Sequence, residues 1–172
     1  MSRRVLLIGR SGCGKTSLIM RIHERDKVPD EHPDTCSIAE ADPASLLKEQ
    51  TGLRTANKTQ AAEYHPDFID VPGEYLEVRS FYRALIMLTC EACAIALIQA
   101  ADDEESLYPS GLARTFDKPV AGIVTKTDVM YSDIARAEAI LREAGATEVF
   151  STSALKNTGI DELIRHLEKL RE

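Results

Sequence analysis

Residues Gly9-Arg10-Ser11-Gly12-Cys13-Gly14-Lys15-Thr16 spell G-x-x-x-x-G-K-T, directly after the apolar run Val5-Leu6-Leu7-Ile8 and directly before a helical stretch from Ser17. No other feature limits the fold so strongly, because the motif works only where a strand ends, the chain wraps and a helix begins. Its glycines let the backbone wrap until successive N–H groups point inward, and the positive end of the following helix completes an anion cradle. In such a loop Lys15 reaches the β- and γ-phosphates and assists their chemistry, and Thr16 holds Mg²⁺. Residues 9 to 17 are therefore candidate nucleotide contacts. The motif names neither the base nor the reaction.

The 172 residues, 44% hydrophobic and 28% charged, suit one globular domain with a sizeable core over residues 1–172. Acidic residues outnumber basic ones 28 to 21, for a net charge of -7. That balance argues against nucleic acid or an anionic membrane as the main partner, so a polyphosphate must be held by a local positive site. The apolar stretches around residues 84 to 98 are interrupted by Thr89, Glu91 and Gln99 and fall short of a bilayer span. The first strand and loop follow the start at once, which argues against a cleavable signal and for the cytoplasm. Four cysteines fit a reducing compartment. Cys90-x-x-Cys93 has no second pair, so buried packing is the better reading than zinc. Cys13, at a helix N-terminus beside Lys15, is placed where a thiolate would be stabilised.

Strand and helix patterns alternate along the chain. Strand 1 is expected at about residues 3 to 8, with a helix to about residue 26. Residues 27 to 57 carry Pro29, Pro33, Pro43 and many acids, and read as a long polar insertion. Residues 59–64 and 68–70 flank His65-Pro66-Asp67 as two short strands around a turn. The spacing over residues 78 to 91 is helical; residues 94–98 and 120–124 are continuous apolar runs of the buried parallel type. A helix at 132–144 with Gly145 as its stop, a strand at 148–151 and a helix over residues 160–170 complete the pattern. The prediction is a three-layer α/β domain whose mostly parallel sheet has an antiparallel edge and binds ligands at its strand carboxyl ends.

Three downstream segments fall at such ends. Asp70-Val71-Pro72-Gly73 offers a carboxylate to support Mg²⁺ and a glycine that lets a terminal phosphate approach. In Thr125-Lys126-Thr127-Asp128 the carboxylate can accept from guanine N1–H and its exocyclic amine, a pair adenine does not offer, while the Lys126 stem covers the base. Ser153-Ala154 is positioned to back the base with a backbone N–H. Singly, Asp70 also reads as a turn former, Asp128 as a helix N-terminal acid and Ser153 as a cap. Their order behind a phosphate loop favours the nucleotide reading.

In this order the motifs resemble those of small TRAFAC-class GTPases, with Thr59 in the switch-one position and Ser153-Ala154-Leu155 as the last base motif. The finer matches, among them Asn57-Lys58-Thr59-Gln60-Ala61 and Asp70-Val71-Pro72-Gly73-Glu74-Tyr75, are similar to the EutP/PduV family of ethanolamine and propanediol utilisation, from bacterial microcompartment operons. The resemblance implies a Ras-like, six-stranded P-loop NTPase fold with one antiparallel edge strand, GTP or GDP with Mg²⁺ as cofactors, and Thr59 as a further Mg²⁺ ligand beside Thr16 and Asp70. It implies microcompartment shell or enzyme proteins as partners and a location at or in a microcompartment, and leaves a homodimer open. Two departures stand out: the long segment between Thr16 and Thr59, and Glu74 following Gly73 where Ras-like enzymes use Gln to orient water. Lys15, Gly73 and Glu74 are then the catalytic candidates, with slow hydrolysis expected, and Arg54 lies near enough to switch one to be tested as a finger. The leading expectation is a slowly hydrolysing GTP-dependent switch. The family resemblance also suggests ATP-dependent acetate kinase activity, and a third possibility is a shell-associated structural module.

Overall fold

The structure, a computed structural model, describes residues 4–25 and 61–171. The acidic segment at 27–57, Arg54 and Thr59 lie outside the described residues. Among the described residues the sheet has six strands, in the order β2-β3-β1-β4-β5-β6. They are β1 (Val5–Gly9), β2 (Glu63–Tyr64), β3 (Phe68–Asp70), β4 (Ala94–Ala100), β5 (Val120–Thr125) and β6 (Glu148–Ser151). Only β2 runs antiparallel, pairing Glu63 with Asp70 and Tyr64 with Ile69; the other neighbours are parallel.

Every residue of β1, β4 and β5 is buried, which is why these segments read as unbroken apolar runs rather than as alternating ones. The period of two is still present, but it sorts side chains between two cores. Leu6, Ile8 and Leu97 enter one cluster, and Val5, Leu7 and Ile98 enter the other. Each such side chain contributes about 1.5–3 kcal/mol on burial, so neither face can be left open. The helices α1 (Lys15–Arg25) and α5 (Ile160–Arg171) cover one face through Leu18, Ile19, Ile22, Leu163 and Leu167. The opposite face is closed by α2 (Glu74–Glu77), α3 (Tyr82–Thr89) and α4 (Ile134–Ala144), through Leu76, Leu85, Ala137 and Leu141. This is an α/β fold of the P-loop NTPase kind, as expected.

Several boundaries differ from the sequence reading. The single helix expected over residues 78–91 is broken: Val78 is extended (φ -114°, ψ 114°), a 3₁₀ turn follows at Arg79–Phe81, and α3 begins only at Tyr82. The helical spacing was real, but Leu76 already anchors a separate turn in the core, so the chain must re-enter the helix after an offset. A second 3₁₀ turn, Leu112–Thr115, carried no periodic signal. The first helix starts at Lys15, and β4 and β5 run on to Ala100 and Thr125, because pairing continues past the apolar residues. Of the strand expected at 59–64, Glu63–Tyr64 is formed and residues 59 and 60 lie outside the described part. Asp133 caps α4, its carboxylate accepting from the Arg136 N–H, and Gly145 closes that helix as read. Cys90 is exposed rather than buried, and Cys93 is half-buried with its thiol directed at the Arg4 carbonyl.

Candidate functional site

Four of the six strands deliver a motif at their carboxyl ends: β1 the glycine loop, β3 Asp70, β5 Thr125 and Lys126, and β6 the turn to Ser153. Parallel strands point these ends the same way, so segments more than a hundred residues apart meet on one rim.

The loop is wound tightly. Gly14 has φ 91°, a conformation that side-chain-bearing residues rarely adopt, and the turn brings the Lys15 ammonium back over its own loop. Lys15 Nζ donates to the carbonyls of Gly9 (2.8 Å) and Arg10 (3.0 Å). Thr16, in the first turn of α1, donates its hydroxyl to Asp70 Oδ2 at 3.0 Å. Asp70 is buried, and its other oxygen, Oδ1, is a buried atom without a hydrogen-bond partner. Burial holds the Asp70 carboxyl above the usual aspartate range, against the opposing effects of the Thr16 hydrogen bond and the Lys15 charge. A buried oxygen left without a partner beside a hydroxyl is a donor set that a hard divalent cation would satisfy.

Two side chains of the loop have partners within the protein. Cys13 is buried in the core, and desolvation pushes its thiol up, against the opposing effect of the Lys15 charge. Arg10 turns outward onto Asp103 (3.1 Å) and Glu105 (3.1 Å), and lines a cavity of about 350 Å³ together with Ser11, Gly12, Asp102, Asp103 and Lys126.

On the other side of the loop, Gly14, Ser17, Leu18, Thr125, Lys126, Asp128, Thr152, Ala154 and Leu155 surround a second cavity of about 220 Å³. Lys126 adopts φ 57°, an uncommon conformation for a lysine, and its ammonium pairs with Asp102 at 3.1 Å, so the stem is held in an imposed position. Thr125 is not directed at the cavity alone: its hydroxyl donates to the Cys13 carbonyl at 2.6 Å and locks the β5 end to the glycine loop. Asp128 accepts a hydrogen bond from the Ser153 hydroxyl, which holds its carboxyl below the usual range, and that hydroxyl also accepts from the Lys156 N–H at 3.0 Å. Within the Ser153-Ala154 pair, from which a backbone N–H is expected to back a base, the Ser153 N–H donates to the Thr158 carbonyl at 3.0 Å. Ser153 therefore buttresses Asp128, and Ala154 and Leu155 are the residues of that motif that face the cavity.

Gly73 packs against the loop itself: a Cβ there would lie 2.1 Å from the Ser11 nitrogen. Glu74, the first residue of α2, is half-buried. The residue that sequence reasoning missed is Glu77, whose Oε1 accepts from the Ser11 N–H at 3.1 Å. Its position four residues beyond Gly73 is the only trace in the sequence, since one turn of helix after the glycine brings it back over the loop.

The fold and the rim define a P-loop α/β protein. A family model described as ethanolamine utilisation - propanediol utilisation matches residues 45–169, and the chain belongs to this PduV-EutP family. The propanediol utilization protein PduV of Citrobacter freundii is 41% identical over 162 residues, 94% of this chain and 90% of the relative. A protein of Salmonella typhimurium named probable acetate kinase EutP is 34% identical over 175 residues, 99% of this chain and 92% of the relative. Its Escherichia coli K12 counterpart, of the same name, is 26% identical over 171 residues, 98% of this chain and 91% of the relative. Among the described residues no helix is long and apolar enough to cross a membrane.

Proposed function

We propose that the chain binds guanine nucleotide with Mg²⁺, hydrolyses GTP slowly, and acts as a nucleotide-dependent switch or accessory factor in ethanolamine- or propanediol-type microcompartment metabolism. The observation that carries the reading is the cavity beside the glycine loop, with Asp128 held ionised at one wall and the Lys126 stem at another. An ionised carboxylate fixed by Ser153 accepts from the two donors on the guanine edge, whereas adenine presents an acceptor at the matching ring nitrogen and leaves the carboxylate unpaired. The glycine loop and Lys15 hold the phosphates. Thr16 and Asp70 hold Mg²⁺, with Thr59 added on the family resemblance. The ion supplies charge neutralisation on the phosphate oxygens when bound. Glu74 stands where a water-orienting amide is usual, and a carboxylate there repels the terminal phosphate, which makes hydrolysis slow. Membership in the PduV-EutP family supports partners among the shell or enzyme proteins and a place at a microcompartment.

Calorimetric titration with GDP and ADP, with and without Mg²⁺, tests the assignment. GDP is expected to bind at least tenfold tighter, a difference of about 1.4 kcal/mol. Asp128→Asn is expected to weaken GDP and improve the xanthine nucleotide; equal binding of ADP and GDP by the parent chain overturns the base assignment. The name of the EutP relatives carries a second reading, phosphoryl transfer between ATP and acetate. Acetyl phosphate formed from ATP and acetate, and lost in Lys15→Ala, would establish it instead.

A further inference from the structure

We propose that Glu77 is a specificity-determining residue that sets the preference between nucleoside di- and triphosphate, by occupying with its own carboxylate the side of the glycine loop that a terminal phosphate must approach. The inference rests on the nucleotide reading above and deepens it. Three observations converge. The Ser11 N–H, part of the anion cradle, already donates to a carboxylate, Glu77 Oε1, at 3.1 Å. Gly73 is seated so closely on the loop that even a methyl group there would fall 2.1 Å from the Ser11 nitrogen, so no phosphate fits between them in this arrangement. The short helix carrying Glu77 is fixed in rotation, because Leu76 is buried in the core and Tyr75 stacks on Phe81 at a centroid distance of 5.3 Å.

A diphosphate fills the inner part of the loop, contacted by the α1 N-terminus and Lys15, and leaves the Ser11 and Gly73 contact intact. A triphosphate carries further negative charge to that contact, where Glu77, with Glu74 one turn before it, repels it until the helix lifts away. Glu77 thus acts as an internal competitor of the terminal phosphate only, and its removal changes one affinity and not the other.

The test measures binding of GDP and a non-hydrolysable GTP analogue to the full chain and to Glu77→Gln and Glu77→Lys, with ADP and a non-hydrolysable ATP analogue in parallel. For an exposed, screened charge the neutral variant is expected to tighten the triphosphate by about three- to tenfold while the diphosphate changes less than about twofold, with the lysine variant shifted at least as far. An unchanged ratio of the two affinities, or equal shifts in both, overturns the proposal. If the parent chain prefers adenine nucleotides, the base assignment falls but the same ratio is read on the adenine pair. A chain that binds no nucleotide at all overturns both. Hydrogen exchange on the parent chain gives an answer independent of any variant. Residues 74–77 are expected to keep their protection with diphosphate and to lose it with the triphosphate analogue; identical exchange in the two complexes overturns the proposal.

Discussion

At the scale of single residues, the rim works through paired side chains. Asp128 owes its low pKa first to the Ser153 hydroxyl. A carboxyl whose folded pKa is depressed contributes stability present above the unfolded aspartate value and lost as pH falls through the lower folded value. In Ser153→Ala the Asp128 titration, followed by carboxyl NMR, is therefore expected to move up toward the ordinary aspartate range. GDP affinity is expected to fall by about tenfold, the magnitude of one hydrogen bond to a charged group. Asp70 presents the opposite case, a carboxyl that burial works against. Asp70→Asn is expected to leave the metal-free chain at least as stable, since no buried charge remains to be compensated, while the Mg²⁺-dependent rise in melting temperature with nucleotide disappears. A melting series with and without chelator reads both effects.

At the scale of elements, α2 decides what the Asp70-Val71-Pro72-Gly73 segment can do. It is only four residues long, yet it is held from both sides by Leu76 in the core and Glu77 on the loop. Gly73 is helical in backbone and would tolerate alanine on that ground alone; contact with Ser11 is what forbids it. Gly73→Ala is expected to cost about 1–3 kcal/mol, as overpacked positions do, and to lower the urea midpoint at unchanged slope. The interruption at Val78 has the same origin. The apolar spacing of residues 78–91 specifies a helix, but the phase of that helix is set by what Leu76 has already taken up in the core, and a periodic pattern carries no information about phase between neighbouring elements.

At the scale of the whole molecule, one buried side chain joins the parts. Tyr108 lies in the connection between β4 and β5, and its hydroxyl stands 2.6 Å from the Ile98 carbonyl and 3.0 Å from that of Ile8, the residue before the glycine loop. It thereby ties β1 to β4 at the end where the rim is built. Tyr108→Phe leaves those buried carbonyls without this donor and is expected to cost about 1–2 kcal/mol. For a chain of this size that is a drop of roughly 2–8 °C in melting temperature, measured by calorimetry.

Much of the fold and the site was legible in the linear chain. The glycine loop, the buried apolar runs and the acids at strand ends are local patterns, and each demands its structure wherever it occurs: wrapped backbone for the loop, a covered parallel strand for the runs. Their order sufficed for the α/β class, for the antiparallel edge and for most of the rim. What the tertiary structure alone decided are the contacts between segments distant in sequence. It set the Ser153 hydroxyl against Asp128 as a support, sent Arg10 outward onto Asp103 and Glu105, buried Cys13, and laid Glu77 on the Ser11 amide. The physical reason is that a motif specifies its own backbone, whereas the partner of a side chain depends on which face of a distant element packing brings within about 3 Å.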